Sequence, residues 1–168
     1  GAALAISGGK ARELVDRRVD WWTLAFFLFL FASVGTLKQT GVTAVIAQQI
    51  IQLSGGSVPL LTSLFAWSSW SLTAVMDNVL AVATFVPIVN DVAAAGLQTF
   101  PLWWAILMGG TLGGNATLIG STANIVAAGV LERRELGEIT FAQWLKPGLI
   151  VAITTMLVAN ALLLAQLS

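Results

Sequence analysis

An apolar stretch, TAVMDNVLAVATFVPIV (residues 73–89), carries a single carboxylate, Asp77, followed by Asn78. A second stretch, GGTLGGNATLIGSTAN (109–124), interleaves glycines with Asn115, Thr117, Ser121, Thr122 and Asn124. An ionised Asp near the centre of a bilayer costs roughly 2.5–3.5 kcal/mol on insertion scales, so its presence there calls for a compensating partner. Helix capping supplies one, with the Asp77 carboxylate accepting from the backbone N–H groups of residues 79–80. Asn or Ser would cap as well without a charge, so the choice of Asp points to a balancing cation or proton. Neutral Asn, Ser and Thr oxygens, with carbonyls freed where glycines interrupt a helix, are ligands for a hard cation such as Na+. Half-helix N-termini at such breaks also favour anionic groups. Asp77, Asn78, Asn115, Thr117, Ser121, Thr122 and Asn124 are therefore the candidate site for Na+, a proton or a substrate.

Other chemistries fall away. The chain has neither Cys nor His, which removes disulfides, Cys/His zinc sites and histidine acid–base catalysis. The glycine-rich stretch lacks the Lys of a P-loop. An intramembrane aspartyl protease needs two buried Asp residues, and Asp77 stands alone in its apolar run. The serines of SSWS (68–71) have no His or buried Lys to activate them and read as helix-packing residues. So do Gly109, Gly110 and Gly129. Asp91 and the acids between Glu132 and Glu138 read as solvated loop charges. Formal net charge is zero, which gives no sign of a nucleic acid partner. No enzymatic activity and no cofactor are expected, with Na+ or H+ as the coupling ion.

The elements that must position these residues are apolar helices. Of the 168 residues, 57% are hydrophobic and 10% charged, against about a quarter charged in soluble domains. The predicted class is an all-α integral membrane protein. Residues 21–37 read as a spanning helix, whereas 42–53 are too few to cross and read as an interfacial helix. Residues 58–89 are too few for two crossings of about 20 residues each. They read as a re-entrant hairpin with arms at 58–75 and 79–89 and a tip at 76–78. A loop at 90–100 leads to a broken helix over 101–132, with halves at 101–113 and 124–132. Residues 147–167 form a final spanning helix. The connectors 10–20 and 132–146 hold every Lys and Arg except Lys38 and are predicted to be cytoplasmic. Trp21, Trp22, Trp103, Trp104 and Trp144 fall near element ends, as an interfacial belt would. Residues 1–9 read as the end of a preceding apolar segment, so the chain is expected to be part of a larger membrane domain.

Taken together, VDWWTLAFF, LKQTGV, MDNVLAVATFVPIV and GGNATLIGSTANIVAAGV resemble the ion transporter superfamily over nearly the whole chain. That superfamily includes divalent anion–sodium symporters, arsenite permeases, NhaD-type sodium/proton antiporters and the melanosomal P-protein. Its symporter branch carries Ser-Asn-Thr at the hairpin tip, where this chain has Asp77, Asn78 and Val79. The acidic tip and the GG-N-x-TLIG-x-x-x-N break look like the arsenite permease/NhaD group. The resemblance implies the later part of the second of two inverted repeats, with the N-terminal repeat as partner. It also implies a homodimer in contact with membrane lipid, elevator-type movement, and a place in the cell (inner) membrane of a prokaryote. Sodium/proton antiport is the leading expectation. A Na+- or H+-coupled permease for arsenite, a carboxylate or another anion is the first alternative, and a non-transporting membrane scaffold subunit is the second.

Overall fold

The computed structural model describes residues 21–134 and 137–167, Thr23 through its backbone only. Residues 1–9 and the first basic connector, 10–20, lie outside them, as do Glu135 and Leu136 of the second. The described residues form seven helices and no strand: α1 (Trp21–Gln39), α2 (Val42–Ser54), α3 (Val58–Thr73), α4 (Asn78–Ala94), α5 (Phe100–Gly113), α6 (Thr122–Arg133) and α7 (Phe141–Ala165). The fold is all-α. The described residues up to Gly35 and those from Thr36 onward fall in two separate units, and the packing described below belongs to the second.

Glycines and caps divide the apolar runs. Gly41 (φ 76°) precedes α2 and Gly55 (φ 56°) follows it, both in the left-handed region that glycine enters without a Cβ penalty. Pro59 and Pro101 sit in the first turns of α3 and α5, where a missing N–H costs nothing. Among the described residues α7 alone is long and apolar enough to cross a membrane by itself. Leu24–Gln39 and Val42–Ser54 meet that test only when taken together across their break.

Two boundaries differ from expectation. α4 runs on to Ala94, so its 17 residues match the 16 of α3 and the second arm is not the shorter. Ile88, Val89 and Val92 are buried and carry its apolar face past residue 89, until Gly96 (φ 83°) turns the chain. Asp91 thus lies on a helix rather than in a loop, half-buried, with its Oδ2 buried and unpartnered. α7 begins at Phe141, six residues before the expected start at Pro147. A capping box causes this: Gln143 N donates to Thr140 Oγ1 (3.4 Å), and Thr140 N donates to Gln143 Oε1 (2.9 Å). Both orphan donors are satisfied before the proline is reached.

The core gathers Leu61 and Phe65 of α3, Val89 and Val92 of α4, Leu102 and Ile106 of α5 and Met156 of α7. Phe65 and Phe85 join the two hairpin arms with ring centroids 5.9 Å apart. α3 and α5 approach most closely, because α5 presents glycines. A Cβ on Gly109 would strike the Ala66 carbonyl oxygen, and one on Gly113 would lie 2.8 Å from Trp70 Cα. A Cβ on Gly110 would lie 2.6 Å from Val82 Cγ2 of α4. Gly129 has nothing within 4 Å, so the packing role expected of it is absent among the described residues. Of the SSWS serines, Ser69 bridges helices, its Oγ donating to the Ile106 carbonyl at 2.9 Å. Ser71 bonds within its own helix, and Ser68 is exposed.

Candidate functional site

Two breaks in helical structure meet in this unit: residues 74–77, between α3 and α4, and residues 114–121, between α5 and α6. Thr117 makes the junction. Its hydroxyl donates to the Ala74 carbonyl and accepts from Gly120 N at 3.0 Å. Gly120 packs so tightly that a Cβ there would lie 2.8 Å from the Gly114 oxygen and 2.9 Å from the Thr73 oxygen. Only glycine lets the unwound backbone come this near the end of α3.

Asn124 holds the second break closed. It is buried, and its Nδ2 donates to the carbonyls of Gly114 (2.9 Å) and Thr117 (3.1 Å). Both amide hydrogens are thereby used, which fixes the side chain and leaves Oδ1 as an acceptor. Ser121 caps α6, accepting from Ala123 N at 3.3 Å. Thr122 is exposed at the first position of that helix.

Asp77 is the N-cap of α4, Oδ1 accepting from Val79 N at 2.9 Å. That bond takes one of about four acceptor positions that an ionised carboxylate offers. The positive end of the α4 dipole favours the charge there. No three Asp, Glu, His or Cys side chains gather among the described residues, so Asp77 would meet an ion in company with neutral oxygens.

The seven candidate residues are not all brought together. Thr117 and Asn124 share one hydrogen-bonded knot, with Ser121 at its edge. Asn78 instead lines a groove with Val79, Val82, Ala83, Leu107, Gly110 and Thr111. Asn115 is exposed and lines a different groove, beside Trp144, Pro147, Gly148 and Val151. Four carbonyls at the breaks already accept a side-chain hydrogen bond: those of Gly114 and Thr117 from Asn124, that of Asn115 from Trp144 Nε1 (3.2 Å) and that of Ala74 from Thr117.

Sequence reasoning misses three residues of this junction. Trp70 Nε1 donates to the Ala152 carbonyl at 3.2 Å, tying α3 to α7. Gly148 is pressed against the carbonyls of Asn115 and Ala116. Trp144, expected in the interfacial belt, bonds inward to the break. The W-x3-G-x3-A spacing 144–148–152 is the available signal, since i, i+4 positions share a helix face.

A family model described as citrate transporter matches residues 2–167. Proteins named as uncharacterized transporters are similar: one of Mycobacterium tuberculosis is 36% identical over 162 residues, covering 95% of this chain. One of Synechocystis is 34% identical over 160 residues, covering 85% of this chain and 35% of its own length. The human P protein is 32% identical over 133 residues, covering 74% of this chain and 16% of its own length. This chain spans 37% of the length of the mycobacterial relative. No solved structure matches it.

Proposed function

The chain belongs to the citrate transporter family, and from that premise we propose a cation-coupled secondary transporter in which Asp77 binds the coupling Na+ or proton. The observation that carries the reading is the position of Asp77. It is the N-cap of a helix that starts four residues from a contact between two helix breaks. Membrane transporters place their ion and substrate sites at such paired interruptions.

Depth supports the same reading. α3 and α4, with 16 and 17 residues, rise only ~24–26 Å, less than the ~30 Å hydrocarbon core. Each is thus suited to an arm that enters and turns back. α7 serves as a ruler, its 25 residues rising ~37 Å. Trp70 meets it at Ala152, ~16 Å from its start. Six residues separate Ala152 from Lys146 of the cytoplasmic connector, ~9 Å along α7, so with α7 crossing the bilayer the junction would lie inside the hydrocarbon core, where an uncompensated carboxylate is costly.

Two versions share this site. Sodium/proton antiport is supported by the sign of the charge, since the ionisable group at the junction is an acid. Coupled uptake of a carboxylate, citrate being the one the family description names, is supported by two helix N-termini, those of α4 and α6, opening at the breaks. Such termini favour anionic groups. Ser121 and the Oδ1 of Asn124, at the second break, would complete the ligand set in either version; Asn78 and Asn115, which line separate grooves, and the exposed Thr122 stand outside it. The remaining repeat, a second copy of the protein, and a prokaryotic inner membrane with cytoplasmic basic connectors belong to the same proposal.

The test uses the full-length protein in liposomes, following internal pH on adding Na+, then citrate uptake under imposed Na+ or proton gradients. A Na+-dependent pH change supports antiport. Its absence alongside gradient-driven citrate uptake supports the permease. Folded protein that does neither sinks both and leaves the scaffold alternative. Asp77→Asn separates charge from capping, because Asn caps as well as Asp. Normal transport by that variant would reduce Asp77 to a cap.

A further inference from the structure

One face of α7 packs against the unwound stretch that Asn124 also holds. Trp144, Gly148 and Ala152 follow one another at i, i+4 spacing and so share that face. Trp144 Nε1 donates to the Asn115 carbonyl at 3.2 Å. One turn on, a Cβ on Gly148 would lie 2.7 Å from the Asn115 oxygen, 2.8 Å from Trp144 Nε1 and 2.9 Å from the Ala116 oxygen. Another turn on, buried Ala152 packs with Ala74 and Ala116, and Leu149 and Trp70 pack against that cluster. The three-residue face therefore touches both breaks at once.

The peptide between Asn115 and Ala116 is held at both ends. Its carbonyl accepts from Trp144, and its N–H donates to the Gly113 carbonyl at 3.0 Å. Asn124 holds the carbonyls on either side, those of Gly114 and Thr117. A peptide plane fixed in this way cannot rotate its carbonyl toward an ion. An indole N–H is well matched to such a clamp, because it donates only, carries no charge and offers a cation no competing ligand.

We propose that Trp144 and Gly148 are positioning residues for the ion site: the indole N–H and the absent Cβ fix the 115–116 peptide and so set the geometry of the break that the coupling ion meets. The inference rests on the proposed function for its consequence in transport, and on the hydrogen bonds alone for its consequence in structure. Preorganisation of this kind strengthens binding by removing the cost of ordering the loop when the ion arrives. Losing the clamp should therefore weaken ion affinity more than it slows the transport cycle.

The test is Trp144→Phe in the full-length protein, which keeps the aromatic bulk and deletes the donor. Hydrogen exchange of amides 114–121 should speed up while amides 58–73 stay as in wild type. In liposomes the half-saturating Na+ concentration for the pH response should rise about fivefold, with the maximal rate changed by less than about twofold. Gly148→Ala, which presses on the same carbonyl, should give the same pattern, and it serves if Trp144→Phe fails to fold. Unchanged exchange at 114–121 overturns the inference whatever transport does. Faster exchange with an unaltered half-saturating concentration overturns it too. If wild-type protein gives no response to Na+, antiport fails as a function, and exchange alone decides the clamp.

Discussion

Gly113→Ala tests whether the close approach of α3 and α5 is what holds the hairpin against the broken helix. An added Cβ would lie 2.8 Å from Trp70 Cα and 2.9 Å from its carbonyl carbon. Carbon pairs rest at ~3.5–4.0 Å, so the helices must part by roughly 0.7 Å or more at this point. A gap of ~0.5–1 Å forfeits about a quarter to a half of the dispersion attraction between facing atoms. The same displacement stretches the 2.9 Å bond from Ser69 Oγ to the Ile106 carbonyl, worth about 1 kcal/mol. Overpacking costs about 1–3 kcal/mol and the weakened bond adds to it, while Ala in place of Gly returns up to ~1 kcal/mol of helix propensity. The expected net loss is about 1–3 kcal/mol. Gly129→Ala is the control, because that glycine faces open space among the described residues and should gain up to ~1 kcal/mol. Both variants of the full-length protein would be purified in detergent and melted at one fixed heating rate, with monodisperse protein as the readout. Gly113→Ala melting with wild type, or Gly129→Ala falling as far as Gly113→Ala, would refute the reasoning.

Three further outcomes follow from the hydrogen bonds at the junction. Asn124→Ala strips both donors from the Gly114 and Thr117 carbonyls and should cost about 2–3 kcal/mol in a thermal melt. Asn124→Asp should be worse, since a carboxylate would face two carbonyl oxygens. Thr117→Val removes the donor to Ala74 and the acceptor for Gly120 N, an expected loss of about 1–3 kcal/mol. Thr117→Ser keeps both bonds and should melt close to wild type, so equal melts for Ser and Val would exclude the junction. Asp77→Ala should lose about 1 kcal/mol as a missing cap, whereas Asp77→Asn should keep the melt unchanged. The transport assay then reads the charge alone.

Much of the local architecture is legible along the chain. Composition identifies an all-helical membrane protein, because a chain so poor in charge has no means of covering a water-facing surface. Glycines among Ser, Thr and Asn mark the break after α5, and an Asp entering an apolar run marks the cap of α4, since both are matters of bonding within a few residues. The two displaced boundaries are local as well. Pro147 favours the first turn of a helix, yet the capping box at Thr140 and Gln143 has already started α7. Asn90 and Asp91 interrupt the apolar run after residue 89, yet Val92 stays buried on the same face of α4.

What the chain does not disclose is which of these features touch. Gly109, Gly113 and Gly129 are the same residue type in similar settings, yet two are jammed against α3 and the third meets nothing among the described residues. Asn78 and Asn115 share a chemistry, yet they line different grooves. Thr117 meets Ala74 across 43 residues, Trp144 meets Asn115 across 29, and Trp70 meets Ala152 across 82. Helical periodicity and capping act over about four residues, so they decide what each segment is. Contacts across tens of residues depend on how the helices stack. That stacking makes four carbonyls expected to be free for an ion into acceptors for Asn124, Trp144 and Thr117, whereas the capping bond of Asp77 is local and forms within its own helix start.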